Sequence, residues 1–239
     1  MRYIFLLAML QIPSFKENQV RQPRVMLAYQ QKELTVQQYF KNKKMSETGF
    51  HLFLRAFKKE QQLEIWIREQ NSDQYSYLHT YSFCTTSGTL GPKRKEGDLQ
   101  IPEGVYHINH FNPQSNFYLS LGLNYPNNSD KILSDKQRPG GSIYIHGSCV
   151  TIGCIPITDE KIKELYVLAV EARNNGQEKI PVHIFPTRLT NDALSFLKTD
   201  YRNSGHFEFW ENLKTVFDDF EQTKKLRTLK VDRAGRYQF

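Results

Sequence analysis

The segment Ile143-Tyr144-Ile145-His146-Gly147-Ser148-Cys149-Val150-Thr151-Ile152-Gly153-Cys154-Ile155-Pro156-Ile157-Thr158-Asp159 decides how the rest of the chain is read. An apolar run delivers His146, a short polar excursion follows, and a second apolar run opens on Gly153 and Cys154. A histidine and a thiol joined this way are the minimum kit for thiolate chemistry. A free cysteine titrates near pH ~8.5 and attacks as the thiolate, so a partner imidazole that takes its proton makes it a nucleophile at neutral pH. In that reading Cys154 is the nucleophile and His146 the base. Gly153 would let the backbone approach a substrate carbonyl, with the neighbouring amides stabilising the developing oxyanion. The imidazole needs an acceptor on its other nitrogen, and the backbone at Gly147 or Ser148 is the nearest.

Plainer readings stand beside this one. A lone cysteine is commonly a small buried apolar residue, and a lone histidine a structural one. Cys149 is an alternative nucleophile or a disulfide partner for Cys154. His146, Cys149 and Cys154 match none of the usual zinc spacings. Cys84, the third of three cysteines, reads as a buried strand residue, and an odd count does not suggest a disulfide framework.

Downstream, the pattern turns helical. Thr158 is placed as an N-cap, Asp159 and Glu160 suit a first turn, and Ile162, Leu165, Tyr166 and Ala169 recur at helical spacing until Asn174-Asn175-Gly176. Cys154 is thereby expected just ahead of a helix N-terminus, whose dipole would favour its thiolate. Lys179 to Pro186 reads as a strand and Thr190 to Leu197 as a short helix. Trp210, Leu213, Phe217 and Phe220 form one helical stripe for packing, and basic Lys224 to Phe239 reads as peripheral.

Upstream, Leu52 to Phe57 and Leu63 to Ile67 form a hairpin about the polar turn Lys58 to Gln62, and Tyr75 to Thr85 is a further strand. Gly88 to Gly104 and Asn112 to Gly141 read as long loops on either side of an extended Val105 to Asn109. The run Lys93-Arg94-Lys95 reads as solvated loop. Glu17 to Met45 is polar and basic, a leader or a loosely attached helix. Met1-Arg2 followed by apolar Tyr3 to Leu10 has the layout of a short export signal, or of an apolar first strand or helix, and is too short to span a bilayer.

The chain has 239 residues, 39% hydrophobic and 13% aromatic, enough for a full core and unlike a disordered or fibrous chain. Its net charge of +7 favours anionic partners, but no basic-aromatic code for nucleic acid is present.

Thr85 to His107, with its Ser87-Gly88, Gly97-Asp98 and Ile101-Pro102-Glu103-Gly104 turns, resembles together with the Gly153-Cys154 segment the L,D-transpeptidase catalytic domain, also called YkuD. Leu121-Gly122, Tyr125-Pro126-Asn127, Ile145 to Cys149, Gly153-Cys154 and Phe209-Trp210-Glu211-Asn212-Leu213 are similar to its YafK-like branch, also called DpaA. The resemblance implies an α+β, β-rich fold with a helical C-terminal extension. The expected divisions are a signal or leader with an N-terminal segment over 1–48, an L,D-transpeptidase-like catalytic domain 49–188 and a helical C-terminal extension 189–239. It implies a periplasmic or wall-facing location. It implies that Cys154 attacks a peptidoglycan stem peptide at an L-to-D bond with His146 as base, Gly153, Gly147 and Ser148 orienting or stabilising charge, and Thr151, Tyr125 and Asn127 at the substrate. No cofactor or metal is implied. An amine acceptor would give transpeptidation. Water would give hydrolysis, by which enzymes of this branch release a wall-linked lipoprotein. Thr151-Ile152-Gly153-Cys154-Ile155-Pro156 departs from the family's Ser-His-Gly-Cys-x-Arg, lacking the second histidine and the arginine, and the His–Cys gap is short. A weakly catalytic wall-binding module is therefore a further alternative.

Overall fold

A computed structural model describes residues 13–239. The N-terminal export reading falls on residues outside that range.

Two helices lead in, α1 (Phe15–Val20) and α2 (Pro23–Lys43), followed by strands β1 (His51–Phe57), β2 (Gln62–Arg68), β3 (Ser76–Ser82), β4 (Gly104–Asn112) and β5 (Ser120–Leu123). The short helix α3 (Asn128–Leu133) precedes β6 (Tyr144–His146) and β7 (Ile155–Pro156). Helix α4 (Asp159–Asn174), strand β8 (Ile180–Phe185), helices α5 (Asn191–Asp200) and α6 (Phe207–Thr223), and a small hairpin of β9 (Lys230–Val231) and β10 (Tyr237–Gln238) complete the chain. The fold is α+β.

Eight strands form one sheet in the order β3-β2-β1-β8-β4-β5-β6-β7. The β1–β8 and β6–β7 pairs are parallel and the other neighbours antiparallel. The sheet curls until its ends meet: just past β3, the Cys84 amide donates to the Pro156 carbonyl of β7 at 3.0 Å.

Both faces of the central strands are covered, which explains why β1 and β2 are almost continuously buried and apolar. Leu52, Leu54 and Ala56 join α4 and α2 in the main core. The alternate residues turn to the other face, where Phe57 packs with Phe185 and Phe217, and Phe53 with Trp66 and Phe220. There α6 lays down the Trp210, Leu213, Phe217 and Phe220 stripe, all buried.

Four stretches differ from the sequence reading. Glu17 to Met45 is firmly docked, because Val25, Ala28, Tyr29, Val36 and Phe40 make a buried stripe against α4 beneath a polar exterior. Asn112 to Gly141 contains β5 and α3, elements of four and six residues too short to show a period. The C-terminal tail returns to the core through Tyr237, whose hydroxyl accepts from the Val105 amide and the Asn127 side chain. Cys84 is bonded to Cys149 in a disulfide, leaving Cys154 as the free thiol.

Candidate active site

Register places His146 and Cys154 with respect to one another. Ile145 pairs with Ile155, and both belong to the core under α4. Because side chains alternate along a strand, His146 on β6 projects to the face opposite Ile145, and Cys154 immediately precedes β7, whose Pro156 pairs with His146. His146 is buried, lies tilted against Phe117 with ring centroids 4.5 Å apart, and its Nδ1 lies 2.5 Å from the Gly147 carbonyl. A carbonyl only accepts, so Nδ1 carries the proton and Nε2 is left as the basic nitrogen. Burial holds this imidazole below its ordinary pKa, against the raising effect of the Gly147 carbonyl, so it is neutral at pH 7.

The Cys154 sulfur is half-buried and makes two contacts, accepting from the Tyr144 amide at 3.4 Å and donating to the Ser142 carbonyl at 3.6 Å. Among the described residues it has no direct hydrogen bond to His146. Burial raises the thiol pKa, opposed by the Tyr144 amide and the Lys93 ammonium. The expected thiolate preference from a helix dipole is not what the geometry provides. Helix α4 starts only at Asp159, beyond β7, and Asp159 and Glu160 already occupy its first turn. Thr158 is at the N-cap position without a side-chain cap.

The excursion between the two residues is tightly built. Gly147 is packed so closely that a β-carbon would fall 2.7 Å from the Phe117 carbonyl oxygen. Ser148 is in the left-handed region, φ +60°, and its amide donates to Asp159 Oδ1 at 2.7 Å. The Thr151 hydroxyl accepts from the Gly153 and Cys154 amides at 3.1 and 2.8 Å and donates to the Cys154 carbonyl. The two amides expected to face an oxyanion are therefore closed onto a hydroxyl oxygen, an ST-turn in form. Gly153 has φ +139°, and a β-carbon there would lie 3.0 Å from the Gln100 carbonyl oxygen. The space opened by this glycine is thus used against the 99–103 segment.

Tyr125 and Asn127 lie between β5 and α3. The buried Tyr125 hydroxyl donates to the Pro139 carbonyl at 2.9 Å. Asn127 caps α3 by accepting from the Asp130 amide and donates to the Val105 carbonyl and the Tyr237 hydroxyl. Both residues line a cleft of about 590 Å³ that neither His146 nor Cys154 borders.

Several residues around the site had no clear signal in the sequence. The Lys93 to Lys95 run is not a solvated loop throughout: Lys93 is 4% exposed and its ammonium donates to Asp98 at 2.6 Å and to the Lys95 carbonyl. Asp98 also accepts from the Arg94, Lys95 and Gln100 amides. Burial pushes its carboxyl up, but Lys93 and these amides outweigh that and leave its pKa lowered. The loop carrying Lys93 is anchored at both ends by the buried Lys58–Glu103 pair. Lys58 donates to the Gly91 and Ile101 carbonyls and to Glu103, which also accepts from the Gly91 amide and the Trp210 indole. Phe117 and Asp159 were likewise hidden, one in an apparent loop and the other as a routine first-turn acid.

The chain belongs to the L,D-transpeptidase family: the model of the YkuD L,D-transpeptidase catalytic domain matches residues 53–184. It is 34% identical over 199 residues to the Escherichia coli K12 protein "Putative L,D-transpeptidase YafK", a match covering 82% of this chain and 77% of that protein, and the same holds for its O157:H7 counterpart. The crystal structure of the helical cell shape determining protein Pgp2 from Campylobacter jejuni aligns with a TM-score of 0.46 and 17% identity, covering 84% of this chain and 80% of that one. Among the described residues, no helix is long and apolar enough to cross a membrane.

Proposed function

We propose that this chain is a cysteine acyltransferase acting on peptidoglycan stem peptides at an L-to-D bond, with Cys154 as nucleophile and His146 as base. The observation that carries the reading is an imidazole on β6, its Nδ1 tied to the Gly147 carbonyl, with a free thiol immediately before the adjacent strand β7. Membership of the L,D-transpeptidase family supports it.

Rotation of Cys154 away from the Ser142 carbonyl brings the sulfur toward His146 Nε2. The thiol proton passes to Nε2 as sulfur bonds the stem carbonyl carbon. The carbon–nitrogen bond then breaks, the leaving amine takes that proton, and a thioester remains on Cys154. An amine, or water, next bonds the same carbon and gives its proton to His146, which returns one to sulfur as the carbon–sulfur bond breaks. The amine route is transpeptidation. The water route is hydrolysis, including release of a wall-linked lipoprotein or a stem residue. Gly153, Gly147 and Ser148 hold the segment in shape, and the Gly153 and Cys154 amides serve the oxyanion once the Thr151 hydroxyl yields them. Tyr125 and Asn127 line a separate cleft that would take a distal part of the stem. The location that goes with this chemistry is the periplasm or cell wall.

A second reading, a wall-binding module without turnover, is favoured by the closed resting state: the thiol is bonded to Ser142 and both amides to Thr151. Chromatographic analysis of muropeptides incubated with wild type and with Cys154→Ala separates the two. New cross-linked or trimmed products made only by wild type support the acyltransferase. Binding by both proteins with no product from either supports the module.

A further inference from the structure

A charge that acts on the candidate nucleophile comes from a loop distant in sequence. The Lys93 side chain lies against the segment that also holds the Cys154 sulfur. Its Cε would be 2.9 Å, and its Nζ 3.4 Å, from a β-carbon on Gly140, while Ser142 and Tyr144 of the same stretch supply the sulfur's two hydrogen bonds. Lys93 is buried, and burying an ammonium is costly unless it is paired. Asp98 pairs with it, and three backbone amides hold Asp98 in turn. The anchor at Lys58, Glu103 and Trp210 fixes the loop as a whole. This amounts to a built support for one cation against the segment that holds the thiol.

We propose that Lys93 is a positioning residue of the site, its Asp98-held ammonium stabilising negative charge on the Cys154 sulfur when His146 withdraws the proton. The inference rests on Cys154 being the reactive thiol proposed above. It supplies one favourable charge against burial of the thiol in a site that lacks the family's arginine and whose helix α4 starts only at Asp159. The sulfur is bonded to the Tyr144 amide and the Ser142 carbonyl, and Lys93 is the charged side chain that acts on it. Lys93 is itself paired with Asp98, and the next residue, Arg94, pairs with Asp130. Burial holds His146 below its ordinary pKa, while the Lys93 ammonium acts to lower that of the thiol.

The test is the rate of iodoacetamide alkylation of Cys154 against pH, on the full oxidised chain, for wild type, Lys93→Gln and Lys93→Arg. Lys93→Gln keeps an amide donor for Asp98 but removes the charge. Its profile should move to higher pH, with alkylation at neutral pH slowed about 3- to 10-fold, since one pKa unit is tenfold in thiolate fraction. Lys93→Arg should stay within about twofold of wild type, because the charge is kept. If Lys93→Gln fails to fold, Lys93→Met, which keeps the length of the side chain without its charge, carries the test in the same sense. A profile of the folded charge-removing variant that superimposes on wild type overturns the inference. Alkylation needs no substrate, so a Lys93-dependent profile without any acyl adduct would count against the proposed function and leave the electrostatic role standing.

Discussion

Cys84 and Cys149 are disulfide-bonded across the seam where the curled sheet meets itself, one residue just past β3 and the other in the excursion between His146 and Cys154. The Cys84 amide donates to Pro156 at the same seam, so one residue is joined to both sides of the candidate nucleophile. The bridge closes a loop with a sequence separation of 65. In the chain-entropy account its loss costs about 4 kcal/mol. Cys84→Ser, or reduction of wild type, should lower the urea midpoint accordingly, and equal midpoints under oxidising and reducing conditions would contradict this.

Gly153→Ala tests whether the backbone just before Cys154 is held by shape. A β-carbon at φ +139° is strained and would press on the Gln100 carbonyl. A loss of about 1–3 kcal/mol is expected, together with slower acylation of Cys154. Gly141 has open space around it and no positive φ, so Gly141→Ala is the control that should leave thermal unfolding unchanged.

The protonation states argue for general-base attack rather than a preformed thiolate–imidazolium pair. Burial raises the Cys154 thiol pKa and lowers that of His146. Titrated by alkylation, the free protein should show a midpoint above the ordinary thiol value. Its acylation by a substrate should keep its rate down to pH values below the ordinary imidazole range, where His146 finally protonates. An alkylation midpoint well below neutrality would contradict this pairing of states.

Asp130 supplies a pH dependence of stability. Burial raises its carboxyl to about 6, against the lowering effects of Arg94, the Asn127 amide and the Tyr106 hydroxyl. The folded value exceeds the unfolded one, so the folded state holds its proton more tightly. The resulting stabilisation is full below the unfolded pKa of ~4 and is lost as pH rises through about 6. The stability of wild type relative to Asp130→Asn should therefore fall between pH 4 and 7, by on the order of 2–3 kcal/mol. A relative stability flat over that range would contradict the assignment.

The parts of the fold with strong local patterns were legible in the sequence. The β1–β2 hairpin, α4 and the Trp210 to Phe220 stripe each repeat apolar residues at their own period, and the structure forms all of them. The β5 and α3 elements were lost in an apparent loop because four and six residues do not establish a period. The Cys84–Cys149 bridge was not legible because pairing depends on how the sheet curls, which no local spacing encodes. Of the site, the His146 and Gly153-Cys154 segment stood out by chemistry and spacing. Lys93 was hidden because a run of three basic residues looks the same whether its first member is buried on Asp98 or solvated. The closure of the Gly153 and Cys154 amides onto Thr151 is a property of backbone direction, and sequence carries no sign of it.

The central claim is that Cys154 forms an acyl-enzyme with a stem peptide. Intact-protein mass spectrometry after incubation with defined muropeptides, on wild type, Cys154→Ala and His146→Gln, addresses it most directly. A stem-sized mass increase on wild type is predicted, absent in Cys154→Ala and reduced by about 10²-fold or more in His146→Gln, the range expected for losing a general base. No adduct and no Cys154-dependent product from any stem or wall-linked substrate would contradict the account.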